Sequence, residues 1–515
     1  MDQTLNIPLP INQARPAAHS RALSHPLLWT VFIVYVLVLA YTAMHHEPWG
    51  DEIHSWNISK ASGSFQDVVH NSRFEGHPPG WYTVLWTISK FTHNFAYVQV
   101  VHVVLATLVV FVILFFSPFP LFARLMVPFG YYFLYEFAVL SRNYALGVLA
   151  AICICMVMRK SFRFKWPLYY FLLLLMSNTH MLALILAGSL HLYFLMMTIE
   201  QKGKIKAATI PVLFGALIFL PAVYFISPPS DSQLSVQFWM DRWNTVNIKA
   251  SGQTPLRSLI PVPAWWEHSS WNTNFLLDAD NKRIIVNFFV AMALLGSIGY
   301  VLKNNRKALV VFGANFFLSI LFAIFVFPLS SARYSGFVYI GFITALWLYC
   351  YESPLTNTRK WLVGSLLGLQ IVAASISVVK DFRFPFSNAS RVNEVIARVP
   401  PGERAVTDYW AVNTISTFAD RPFYCIDLQE EISFLQWGVD LGKMSNKPYR
   451  YTDGLRHLFG QTGRTKVYLI SGKMPEMLFK EDTQLDKTYQ VKLVYKIEGA
   501  IEKGGNLYLY KIERK

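Results

Sequence analysis

Long apolar runs separated by short polar connections organise the chain from residue 27 to residue 379. A helix crossing a hydrocarbon core needs roughly 20 apolar residues. The runs predict eleven spans, near 27–44, 95–116, 121–140, 145–158, 166–177, 180–199, 207–227, 284–302, 308–329, 334–351 and 361–379. Between the first two, "HPPGWYTVLWTISKF" places Trp81, Val84, Leu85 and Ile88 on one helical face, and residues 53–69 do the same with Ile53, Trp56, Ala61, Phe65 and Val68. That spacing predicts helices lying on the membrane, so residues 45–94 read as one external loop with two interfacial helices. Beyond residue 380 the pattern changes. "SRVNEVIARV" and "NTISTFA" have helical periodicity, whereas "RAVTDY", "PFYCIDL", "KVYLISG", "YQVKLVYKI" and "LYLYKIE" read as strands, which predicts a small α/β domain over 381–515.

The chain is 54% hydrophobic and only 15% charged, against roughly 25% charge in soluble domains. The fold class expected is therefore an α-helical polytopic membrane protein of about 11 spans carrying that C-terminal domain. The net charge of +15 would suggest nucleic acid in a soluble protein. Here its distribution argues otherwise. With residues 1–26 cytoplasmic and the first run retained as an anchor, Arg15 and Arg21, Arg124, Arg159 to Lys165, Lys202 to Lys206, Lys303 to Lys307, and Arg359 with Lys360 all fall inside, as the positive-inside bias requires. The tail, after an odd number of spans, falls outside. The four cysteines are scattered and define no disulfide framework.

Two external connections break the charge rule, both with arginine: "SRNY" at 141–144 and "SSARY" at 330–334. They bring Arg142 and Arg333 to the same membrane surface as Asp51, Glu52, Glu75, His77 and His180. Acids paired with cations at a boundary of water and lipid suit a substrate that is half lipid, whose apolar part stays in the bilayer while its polar part reacts.

The acidic pair in "GDE" soon after the first span, "GHPPGWY" later in the same loop, "SRNYALG" opening a later span and "ARY" together resemble the membrane glycosyltransferases of the GT-C superfamily, in particular the protein-mannosyltransferase-like and aminoarabinose-transferase-like group. The resemblance covers residues 27–380, most clearly the first 180. It implies inverting transfer of a hexose or pentose from a polyprenyl-phosphate donor to an acceptor hydroxyl or phosphate at the external face, with Asp51 as base or orienting group and Glu52 assisting. Arg333, Arg142, Glu75, His77, His180, Tyr144 and Tyr334 would bind substrate. It leaves a divalent metal cation open, with Asp51, Glu52 and His77 as its ligands. The expected setting is a bacterial inner membrane with the tail periplasmic, and the expected partners are the lipid-linked sugar, the bilayer and a glycan, lipid or protein acceptor, without nucleic acid.

Simpler roles compete residue by residue. Asp51 and Glu52 could be solvated loop acids, and the arginines interfacial anchors. Glu136, within a span, could serve only to pair with Arg142. His102 and His191 read as hydrogen-bonded packing residues. Residues 228–283, with "PVPAWWEHSSW", are expected to cover the outer cavity, Glu267 and His268 being acceptor contacts or parts of a tryptophan anchor. Two other functions compete: a lipid-linked glycan transporter or flippase, and a polysaccharide polymerase using a diphosphate-linked donor. A transporter would carry internal repeats and charges near the midplane, and neither is evident in the sequence.

Overall fold

The computed structural model describes residues 22–159, 164–230, 232, 245–277, 283–327, 329–445 and 449–515. Arg15, Arg21, Lys160, Arg163 and parts of the 228–283 connection lie outside that set. Among the described residues, eight helices are long and apolar enough to cross a membrane: Pro26–His45, Ala96–Phe116, Met181–Lys202, Ile205–Ile226, Ile284–Leu302, Arg306–Phe325, Ala332–Glu352 and Asn357–Arg383. The protein is a multi-pass integral membrane protein. Many of these helices turn bulky residues such as Leu37, Leu217, Phe289 and Phe317 outward, the expected state of a lipid-facing surface. Ala332–Glu352 differs, because every residue from Ser335 to Tyr349 is buried.

Three of the eleven expected spans are not long single helices. Tyr144–Arg159 and Lys165–Ser177 have 16 and 13 residues, about 24 and 20 Å at 1.5 Å per residue, short of the roughly 30 Å core. The third, expected at 121–140, is broken into a short α-helix Leu121–Met126, a 3₁₀ turn Val127–Phe129 and a π turn Tyr132–Glu136. Pro128 removes a backbone donor and Gly130 is extended, at φ −70° and ψ 153°, so the α-ladder stops there. Non-helical backbone at this depth must find partners inside the protein. It does: Tyr35 Oη donates to Phe133 O at 2.7 Å, and His102 sits 3.1 Å from both Ala138 O and Arg142 O. Gly336 allows the central helix to press on this segment, since a Cβ there would lie 2.4 Å from the Tyr132 ring.

The 45–94 loop contains three helices rather than two: Gly50–Ala61, Phe65–Arg73 and Gly80–Ser89. The expected helix at 53–69 is cut because Ser64 starts a new one, its side chain accepting from Asp67 N while the Asp67 carboxylate accepts from Ser64 N.

The tail forms a six-stranded mixed sheet in the order β3-β2-β1-β4-β6-β5, with β1 Ala405–Thr407, β2 Phe423–Cys425, β3 Glu430–Ile432, β4 Lys466–Ser471, β5 Tyr489–Ile497 and β6 Leu507–Arg514. β1 runs parallel to β2 and β4, and β6 is antiparallel to β4 and β5. Alternation along β4 sends Val467 and Leu469 to one apolar layer and Tyr468 and Ile470 to the other, as a period of two requires. β3 escaped the sequence pattern because it has three residues, two of them glutamates. The tail packs on the 45–94 loop: Asn57 Nδ2 donates to Asn413 O at 2.9 Å, Thr417 Oγ1 to Asn57 Oδ1 at 2.6 Å, and Asn413 Nδ2 lies 2.9 Å from His54 Nδ1. Loop and tail therefore share one side of the helical layer.

Candidate active site

Asp51 opens the helix Gly50–Ala61, so its carboxylate lies at the helix's positive end. Arg333 Nη2 approaches its Oδ2 at 3.3 Å and Arg142 Nη2 at 3.9 Å. Burial would raise this carboxyl, but the two guanidinium groups outweigh it and hold Asp51 below the ordinary carboxylate range. Its side chain remains 26% exposed, against 14% for Arg333 and 6% for Arg142. The three charges meet from segments of the chain far apart in sequence.

Arg333 lies among aromatic rings. Its guanidinium carbon is 4.6 Å from the centre of the Trp49 ring, 4.8 Å from Tyr334 and 5.7 Å from Trp271. Nη2 donates to Tyr334 Oη at 3.2 Å, while Nε and Nη1 are buried without a partner among the described residues. Arg142 Nη1 donates to Asp51 O and to Ser55 Oγ, and its Nε is likewise unpartnered. Polar atoms without partners continue beyond the arginines at His77 Nδ1, His180 Nε2 and Tyr144 Oη. The His77 and His180 rings are 5.2 Å apart, Tyr144 is 5.0 Å from His180, and Tyr334 stacks on His180 at 6.2 Å. His180 Nδ1 accepts from Leu182 N at 3.1 Å, which makes the imidazole neutral with its proton on Nε2. Burial, reinforced by Arg142, pulls His77 down to about 3, so it too is a neutral hydrogen-bonding group. Buried polar atoms normally have partners; so many donors around one carboxylate make a site for an anionic, hydroxyl-bearing ligand.

Glu52 belongs to a different arrangement. It is 1% exposed and faces away from Asp51, because neighbours on a helix point about 100° apart. Oε2 accepts from Trp49 N at 3.0 Å and lies 3.4 Å from His46 Nε2, while Oε1 accepts from Ser141 N. Glu52 thus caps its own helix and holds the loop that presents Arg142. The other side of His46 meets Asp381 at 2.8 Å. Glu75 also points elsewhere, 2.6 Å from His54 Nε2 and accepting from Trp437 N at 3.3 Å. Asp51, Glu52 and His77 consequently do not converge as ligands, and among the described residues no three His, Cys, Asp or Glu side chains group as a metal centre.

Sequence reasoning missed Trp49, Trp271 and Ser55, which the aromatic and polar background hid. Glu136 is tied to Tyr131 Oη at 2.6 Å and Trp271 Nε1 at 3.2 Å, its expected partner Arg142 being engaged elsewhere. His102 and His191 are hydrogen-bonded and buried, as expected. His268 bonds Gly499 O at 3.1 Å, linking the 228–283 connection to the tail.

No protein-family model matches the chain, and no curated protein matches it. Its structure is similar to that of ArnT from Cupriavidus metallidurans in the apo state, with a TM-score of 0.51 at 13% sequence identity, over 94% of this chain and 97% of that one. The chain shares the fold of that structure. The likeness covers nearly the whole chain, and the cluster around Asp51 lies in this shared fold, between the helical layer and the elements packed upon it.

Proposed function

We propose that this protein transfers a sugar from a polyprenyl-phosphate donor to an acceptor hydroxyl at the external face of a membrane, with inversion at the anomeric carbon. The observation that carries the reading is the pair Arg333 and Arg142, buried around Asp51 with guanidinium N–H groups unused. A phosphate ester that becomes a leaving group gains charge as its bond to the sugar lengthens. Fixed guanidinium groups stabilise that charge more in the transition state than in the ground state. Arg333 is held by rings on several sides, so little reorganisation accompanies binding. Asp51 keeps the two cations together before substrate arrives and accepts a hydrogen bond from the incoming hydroxyl. Neutral His77, His180 and Tyr144 hydrogen-bond the sugar or the phosphate. Glu52 and His102 position the Arg142 loop.

The setting proposed is a bacterial inner membrane, with the C-terminal sheet in the periplasm and a glycan, lipid or protein as acceptor. The test compares membranes from a deletion strain with those of the same strain complemented by the wild-type gene or by Asp51→Asn. Mass spectrometry should find a glycoconjugate that disappears on deletion, returns with the wild type and stays absent with the variant while the protein is present at normal level. Return of that species with Asp51→Asn refutes the assignment. Supplying the donor sugar on monophosphate or diphosphate carriers separates this reaction from a polymerase, and loss of a transport function without any missing glycoconjugate would favour a flippase.

A further inference from the structure

Glu136 closes the π turn Tyr132–Glu136, in which Phe137 N donates to Tyr132 O at 3.1 Å. Such turns interrupt helices frequently at functional sites. Glu136 is also a fully buried ionisable residue in the membrane part of the chain, where a carboxylate is costly and its partners matter. Both of its partners use one oxygen. Oε2 accepts from Tyr131 Oη at 2.6 Å and from Trp271 Nε1 at 3.2 Å, while Oε1 has no hydrogen bond among the described residues. The Trp271 indole, carried by the 228–283 connection, lies against Arg333: its ring centre is 5.7 Å from the guanidinium carbon, within cation–π range. Trp271 also meets Trp49 at 4.7 Å, edge to face, and Trp49 lies 4.6 Å from the same guanidinium. The backbone beside the indole is held separately. Arg257 Nη1 donates to Asn272 O at 3.4 Å, Asn272 takes φ 61°, which asparagine tolerates, and Phe275 N donates to Val262 O at 3.1 Å. What remains to be set is the rotation of the ring, and its one N–H group is bound by Glu136.

From this chain of contacts we infer that Glu136 is a positioning residue: by binding the Trp271 indole it seats Trp271 and Trp49 against Arg333 and so fixes where the free guanidinium N–H groups point. The inference rests on the transferase reading above. Arg333 Nε and Nη1 have no partner among the described residues, so the plane of the guanidinium is set by Asp51, Tyr334 Oη and the rings alone. The attraction of the rings is the same with and without substrate; what reaches the rate is the direction they impose. A guanidinium turned away from the leaving phosphate still attracts an anion in the ground state, but its donors no longer meet the charge that develops as the bond to the sugar breaks. The loss therefore falls on the rate more than on carrier binding. Because one oxygen accepts both hydrogen bonds, the acceptor atom and not the charge does the positioning, and the amide oxygen of a glutamine can replace it.

The experiment uses full-length Glu136→Ala, Glu136→Gln, Trp271→Phe and the double variant Glu136→Ala/Trp271→Phe. Membranes of the complemented deletion strain are assayed for the initial rate of formation of the missing glycoconjugate, and the purified proteins in nanodiscs for binding of undecaprenyl monophosphate, both normalised to the folded fraction from melting curves. Glu136→Ala should lower the rate by about tenfold or more while carrier binding stays within about threefold of wild type. Glu136→Gln should keep the rate within about threefold. Trp271→Phe, which keeps a ring but not the N–H group, should match the loss in Glu136→Ala, and the double variant should fall no further, because the two changes remove one interaction. Should Glu136→Ala fail to fold, Trp271→Phe carries the test by itself. Wild-type rates in the folded Glu136→Ala and Trp271→Phe proteins, a Glu136→Gln protein as slow as Glu136→Ala, or losses that multiply in the double variant overturn the inference and leave the transferase reading standing. Absence of any such product from wild-type membranes overturns the transferase reading itself.

Discussion

Replacement of Arg333 by alanine isolates the proposed role of the phosphate clamp. The guanidinium contributes a charge 3.3 Å from Asp51 and lies over Trp49 at 4.6 Å and Tyr334 at 4.8 Å. The ring contacts, worth about 0.5–2 kcal/mol each, exist with and without substrate and so affect stability more than rate. The rate depends on the unused N–H groups at Nε and Nη1. Loss of donors aimed at a developing anion costs about 2.7–4 kcal/mol, which at about 1.36 kcal/mol per decade is about 100- to 1,000-fold in kcat/KM. Arg333→Lys keeps a charge but loses the planar fork, and should fall between the two, about tenfold below wild type. The assay is transfer in complemented membranes, alongside undecaprenyl monophosphate binding to purified protein and a melting curve that verifies folding. Rate and carrier binding within about threefold of wild type in a folded Arg333→Ala protein would refute the clamp.

Glu52→Ala should act on folding first: the buried N–H groups of Trp49 and Ser141 lose their acceptor, at about 1–3 kcal/mol each, and a detergent melting curve at wild-type temperature would contradict this. Asp381 and Glu52 raise His46 to about 10, outweighing burial, which acts the other way. Because this lies above the value of about 6.5 in an unfolded chain, the stabilisation is complete below pH about 6.5 and is lost as pH climbs towards about 10. Melting temperatures should decline across that window, and His46→Gln should flatten the decline; parallel curves for the two proteins would exclude His46 as the cause.

The membrane helices were legible because burial in lipid and burial in protein both select apolar residues, and eight runs had the length to cross. The break at 121–140 was not, since Pro128 and Gly130 leave the run apolar while stopping the helix, and no hydropathy pattern carries dihedral angles. Arg142 and Arg333 were visible through their placement against the charge bias, and the structure does gather them on Asp51. Both adjacent acids were expected at the site, Glu52 assisting Asp51, yet a helix rotates successive side chains apart, leaving Asp51 between the arginines and turning Glu52 to backbone N–H groups. "WGDE" carried a signal for that: a glutamate three residues after Trp49, where a capping carboxylate sits.

Since the carboxylate that holds Ser141 also caps the helix beginning at Gly50, the spacing between Asp51 and Arg142 is inherited from the folding of that helix. The first turn cannot fray without loosening Arg142 from Asp51. Position 52 would therefore tolerate few substitutions in a mutational scan although its carboxylate is turned to backbone N–H groups. Substitutions meant to change what the site binds would have to leave it alone and work instead on Trp49, Tyr334, His77 and His180, whose rings surround the arginines and one another.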